Sequence, residues 1–85
     1  MSYETHAGHL PLARLHYPAH RARLDEFHGR GTLLMAGPYA DPQDGAMGVF
    51  TTRAAAEEFV AGDPFVLCGL VRTCTIREWN EILAG

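Results

Sequence analysis

Eighty-five residues make one domain, expected to span 1–85. With 47% hydrophobic and 20% charged residues the composition is that of a folded chain, not a disordered one. The net charge of -3, with the arginines scattered, argues against a nucleic-acid partner, and no apolar run approaches a membrane span. The opening "MSYETHAGHL" has neither the apolar core nor the basic start of an export signal. A cytoplasmic location follows as an expectation, with Cys68 and Cys74 as free, small, buried hydrophobes.

In chain order, "SYETHAG" predicts a short strand that Gly8 ends early. From Pro18 to His28 the pattern is helical: His20, Leu24, Phe27 and His28 fall on one face, and Gly29 and Gly31 close the helix. Residues 32–38, "TLLMAGP", read as a strand apolar on both faces. Pro38, Pro42 and Gly45 then mark a surface loop, and "AMGVF" (46–50) a second two-sided apolar strand. Thr52 caps a helix over "RAAAEEFVA" whose buried stripe is Ala56, Phe59 and Val60, closed by Gly62. Asp63 and Pro64 are suited to the cap and first residue of one further turn over "PFVLCG". Residues 70–79, "LVRTCTIREW", read as the last strand, with Trp79 in the core or a dimer interface.

The order is βαββαβ, an α+β domain of ferredoxin-like type: an antiparallel four-stranded sheet with two main helices on one face. The helices cover one face only, while the strands at 32–38 and 46–50 are apolar on both. A second copy packed face to face is the expected cover, giving a homodimer.

The chemistry on offer centres on histidine. His16 and His20 stand at the i, i+4 spacing of a helical zinc pair, but Pro18 pushes Tyr17 out of helical geometry, so the two are not expected to share a face. No cysteine or carboxylate completes a ligand set, and no metal is expected. A helix beginning at Pro18 places His20 in its first turn, where the dipole disfavours a positive imidazole and leaves a neutral base. The plainer reading is a histidine that hydrogen-bonds a carbonyl. Asp63 is divided in the same way. It has a structural task as a helix cap, worth ~1 kcal/mol, and it has the chemistry to orient an imidazole. Asp41, beside the end of the 32–38 strand, and Tyr39 are second-rank pocket candidates; Tyr17 and Tyr39 each offer a phenol donor or a half-buried packing ring. There is no phosphate loop, nucleophile elbow or dinucleotide fingerprint, so a site without cofactors is expected.

Four segments together resemble a known family. "YPAHRARL" is similar to the R-P-A-H-L-A-R-L helix of the YciI-like (YCII-related) proteins, "GRGTLLMAGPYAD" to their E-G-R-L-L-x-A-G-P, "GDPFVLCGLV" to their A-D-P-Y-x-x-A-G-V, and "TIREWNEIL" to an actinobacterial form of their C-terminus. The resemblance covers residues 12–83. It implies a dimeric α+β barrel related to muconolactone isomerase, and an active-site dyad that falls on His20 and Asp63. The arginine of R-P-A-H is Tyr17 here, so an anionic substrate would need Arg14 or Arg21 instead. The first strand is also shorter and more polar than in the family, although this topology places it inside the sheet.

A family that includes a chloro-hydroxyhydroquinone dehydrochlorinase implies proton transfer beside a carbonyl. The expected function is an isomerase or lyase acting on a small cyclic enone, lactone or hydroxylated aromatic. His20 is its general acid/base, Asp63 the orienting carboxylate, and Tyr17, Arg14, Tyr39 and Asp41 the substrate-binding candidates. Two alternatives stand beside it: a non-catalytic dimeric module that binds a small ligand, and a monooxygenase-like barrel protein.

Overall fold

The computed structural model describes residues 1–83. Strand β1 (Ser2–Thr5) leads into helix α1 (Leu10–Gly29), then β2 (Leu33–Pro38), a single 3₁₀ turn (Pro42–Asp44), β3 (Ala46–Phe50), α2 (Arg53–Gly62), α3 (Pro64–Leu67) and β4 (Val71–Thr75). The sheet order is β2-β3-β1-β4 with every neighbouring pair antiparallel, which is the ferredoxin-like arrangement. The short first strand does lie inside the sheet, and Met1 prolongs its pairing: its ammonium and carbonyl both bond Gly48 of β3, each at 2.9 Å.

Alternation along β1 divides its residues between two surfaces. Tyr3 points into the layer under the helices, where it is buried with Phe27, Leu33 and Phe59. Ser2 and Glu4 point to the uncovered face, together with Met47 and Val49 of β3, which alternate with the core-facing Gly48 and Phe50. Phe27 meets Phe59 edge-on at 5.3 Å between centroids, the preferred aromatic geometry, and joins α1 to α2.

The largest departure from the sequence reading is α1. It begins at Leu10 with Pro11 in its first turn, and Pro18 sits inside it. The stretch "LPLARL" is therefore helix. An internal proline strands the carbonyl four residues back, here that of Arg14. Arg14, Leu15, Tyr17, Pro18 and Ala19 are all exposed, so water can satisfy that carbonyl and the helix continues. Two further corrections concern the strands. β2 lies at the sheet edge, and after Leu33 its residues are exposed, including Met35 at 64%. β4 ends at Thr75, so Trp79 lies beyond it and is 69% exposed instead of in the core. Both cysteines are free and half-buried, less enclosed than expected.

The α2–α3 junction carries the site. Thr52 caps α2 by accepting from the Ala55 N–H at 3.1 Å. At its other end Arg23 of α1 donates to the carbonyls of Phe59 (3.0 Å) and Glu58 (2.7 Å). Gly62 makes room for this, because a Cβ there would stand 2.7 Å from the guanidinium. Pro64 disfavours helical geometry at Asp63, which is extended at φ -69 and ψ 123. The chain turns there, and the Asp63 side chain swings inward to cap α3.

Candidate functional site: a buried Tyr3–Asp63–His20 chain

Asp63 is fully buried, at 0% exposure. A buried carboxylate requires donors on both oxygens, and the surrounding elements supply three. Its Oδ1 accepts from the Phe65 N–H at 3.2 Å, the α3 cap, and bonds His20 Nδ1 at 2.7 Å. Its Oδ2 accepts from the Tyr3 hydroxyl at 2.7 Å. The three side chains come from α1, the α2–α3 junction and β1, up to sixty positions apart.

His20 is held by packing as well as by this bond. The Phe65 ring stacks on the imidazole at 3.8 Å with planes 7° apart, and Phe59 approaches its edge at 6.2 Å. With Nδ1 turned to a carboxylate, the tautomer that satisfies the pair has the proton on Nδ1 and a lone pair on Nε2. Nε2 has no hydrogen-bond partner among the described residues, yet no buried side-chain nitrogen is left unsatisfied, so Nε2 reaches the surface. The pair thus has an interior end and an exterior end.

His20 lies in the middle of α1, not in its first turn, so the expected effect of the helix dipole on it does not apply. His16 and His20 do share one continuous helix, against the sequence reading. Among the described residues, however, no three histidine, cysteine or acidic side chains gather as a metal-ligand set, and His20 Nδ1 is taken by Asp63.

Tyr3 is the site residue that the sequence reading did not pick out. Its signal was present: the one aromatic in a short polar strand must face inward, and an inward phenol needs an acceptor. Burial, reinforced by the bond to Asp63, pushes its hydroxyl far above the ordinary tyrosine range, so Tyr3 is a permanent donor.

The remaining candidates separate. Tyr17, one turn before His20 on α1, is 47% exposed with its ring 6.3 Å from the imidazole, at the rim of the pair. Beside it Arg21 pairs with Asp25 at 3.0 Å, and its guanidinium is pushed above its ordinary range by Tyr17 first and Asp25 second. Arg14 is exposed further up α1. Tyr39 and Asp41 are not brought to the pair. Tyr39 bonds Ser2 Oγ at 2.7 Å on the uncovered face of the sheet, and Asp41 caps the 3₁₀ turn by accepting from the Gln43 N–H at 3.0 Å. Among the described residues, one open groove lies between the uncovered face and residues 76–80 and another around Tyr39 and Arg72. Neither includes His20 or Asp63.

The sequence pattern of the YCII-related domain matches residues 2–80. The chain belongs to this family. Two relatives within it, the proteins YciI of Escherichia coli O6:H1 and of Shigella flexneri, are each 33% identical over 76 residues, covering 76% of this chain and 78% of theirs. The YCII-related fold also superposes on a solved structure, the 5-chloro-2-hydroxyhydroquinone dehydrochlorinase TftG of Burkholderia phenoliruptrix AC1100 in complex with 2,5-dihydroxybenzoquinone. That match has a TM-score of 0.77 at 22% identity and covers 93% of this chain and 89% of that one. No helix among the described residues of this YCII-related chain is long and apolar enough to cross a membrane.

Proposed function

We propose that this YCII-related protein is an enzyme of isomerase or lyase type that moves a proton on a small hydroxylated aromatic, cyclic enone or lactone. His20 Nε2 takes the proton from the substrate, and Asp63 holds the ring in the Nδ1–H tautomer and stabilises the imidazolium that forms. The observation that carries this reading is the 2.7 Å bond from His20 Nδ1 to a carboxylate at 0% exposure, with the other ring nitrogen at the surface. The step asks only for a base and its orienting anion. Tyr17 at the rim is the first substrate contact, and Arg14 and Arg21 are the cations available on the same helix. The dehydrochlorinase with this fold supports the substrate class, since its complex holds a dihydroxybenzoquinone.

The test uses chlorinated hydroxyhydroquinones and related lactones, with chloride release and ultraviolet absorbance as readouts. His20→Ala should lose about 10²–10⁴-fold in rate, the usual worth of a general acid–base residue. A folded His20→Ala protein that turns over at the wild-type rate sinks the assignment.

One observation favours a second reading, a binding module without catalysis. Phe65 closes one face of the imidazole, and neither groove includes the pair. On that reading the wild type binds the same compounds without converting them, and His20→Ala binds equally well.

The homodimer belongs to the same proposal. Met35, Met47 and Val49 lie on the uncovered face beside Ser2 and Glu4, and a second copy packed on them would remove that apolar surface from water. A location in the cytoplasm, expected for a chain of this composition, completes the reading.

A further inference from the structure

We propose that Tyr3 is a positioning residue for the histidine–aspartate pair, whose hydroxyl sets how readily the pair takes up a proton. The inference rests on the reading of His20 and Asp63 as a working pair, but it concerns their proton affinity and can be measured without a substrate.

The geometry leaves the Tyr3 hydroxyl one task. It is 2.7 Å from Asp63 Oδ2, on the side of the carboxylate away from His20, which bonds Oδ1 at 2.7 Å. Tyr3 itself is 2% exposed. The ring already fills its place in the core beside Phe27, Leu33 and Phe59, so packing needs the ring and not the hydroxyl. The hydroxyl satisfies the one carboxylate oxygen that neither α1 nor α3 reaches. It also fixes which oxygen faces the imidazole, because Oδ2 is held toward β1.

The electrostatic consequence has a definite sign. The hydroxyl stabilises the state in which Asp63 is charged and His20 neutral, by donating to the charge. When the pair gains a proton, the proton resides on either the imidazole or the carboxylate. A proton on the carboxylate removes the charge that Tyr3 stabilises. A proton on the imidazole leaves Asp63 charged, and the hydroxyl then draws toward Oδ2 charge that would otherwise hold the imidazolium. In both cases losing the hydroxyl raises the affinity of the pair for a proton. The other titratable groups facing the pair do not take over this task. From α1, the Arg23 guanidinium is held by the Phe59 and Glu58 carbonyls, and Tyr17 is at the solvent rim. From β4, the Cys74 thiol is pushed upward, by burial first and by Asp63 as well, so it is neutral near pH 7. The chain's N-terminal ammonium is bonded to the Gly48 carbonyl across the sheet.

The experiment is an NMR titration of the His20 ring protons in the intact protein, comparing wild type, Tyr3→Phe and a protein with 3,5-difluorotyrosine placed at position 3. The Tyr3→Phe midpoint moves to higher pH by about half a unit or more, a modest share of the strength of a hydrogen bond to a charged group. The difluoro ring is a stronger acid and a stronger donor, and it moves the midpoint to lower pH. It also keeps the bond in place, so it reports even where Tyr3→Phe does not fold. A midpoint that stays put with difluorotyrosine, or that falls in a folded Tyr3→Phe, overturns the proposal and reduces Tyr3 to a packing residue. A Tyr3-dependent midpoint in a protein that converts no substrate upholds the chain and removes the enzymatic reading alone.

Discussion

Replacing Asp63 tests the site's construction most directly, because two substitutions at that position have different consequences. Asp63→Ala removes the acceptor of three bonds at a position with 0% exposure. His20 escapes the loss by moving its proton to Nε2 at the surface. The Tyr3 hydroxyl, 2% exposed, does not, and it is left buried without an acceptor at a cost of about 1–3 kcal/mol. The α3 cap at the Phe65 N–H is lost as well, about 1 kcal/mol. The sum is about 3 kcal/mol. Asp63→Asn keeps an oxygen toward His20 and Phe65 and turns an amide N–H₂ toward the Tyr3 oxygen, which accepts, so that only the phenol hydrogen is left without a partner. Its cost should be about 1 kcal/mol, the low end for an unpaired buried donor. Urea unfolding followed by far-ultraviolet circular dichroism is the assay. With a slope near 1 kcal/mol/M for a chain this small, Asp63→Ala should shift the midpoint down by about 3 M and Asp63→Asn by about 1 M, at unchanged slope. Activity should order the two differently: the amide cannot stabilise an imidazolium, so Asp63→Asn would be nearly as stable as wild type and strongly impaired. An alanine variant within about 0.5 kcal/mol of wild type would refute the claim that buried donors depend on this carboxylate.

Three further outcomes follow from the same structure. Stability should fall as pH rises above about 10.0, the ordinary value for a tyrosine hydroxyl, because the unfolded chain then loses the Tyr3 proton that the folded chain retains; the slope is about 1.4 kcal/mol per pH unit, and Tyr3→Phe removes it in chemical denaturation series. Cys74, also raised by burial, adds a decline that begins from its ordinary 9.0. Gly45→Ala should cost about 3 kcal/mol or more in thermal unfolding, since Gly45 holds φ +110 and a Cβ there would lie directly on the Tyr3 carbonyl oxygen; a variant with the wild-type melting temperature would contradict this packing. Met47→Arg, on the uncovered face, should convert the proposed dimer to monomer in sedimentation, and a wild type that sediments as a monomer at high concentration would dismiss the face-to-face assembly.

Local chemistry determined much of this protein by itself. The strand–helix order, the Thr52 cap on α2 and the Asp63–Pro64 start of α3 rest on interactions within a few residues, and each occurs where those residues stand. His20 and Asp63 were legible because "YPAH" and "GDPF" match family motifs, not because any spacing along the chain joins residues 43 positions apart. What failed were rules whose outcome depends on surroundings. Pro18 reads as a helix start, yet it is tolerated inside α1 because its turn of the helix faces water. The apolar run at 32–38 reads as a strand buried on both faces, yet the sheet order places it at an edge, where its residues after Leu33 are exposed. Tyr3 could be read as inward-facing but not as a partner of Asp63. That assignment needs the sheet order, which sets β1 at the centre beneath the α2–α3 junction, and the burial of both side chains there, which obliges the phenol and the carboxylate to satisfy each other.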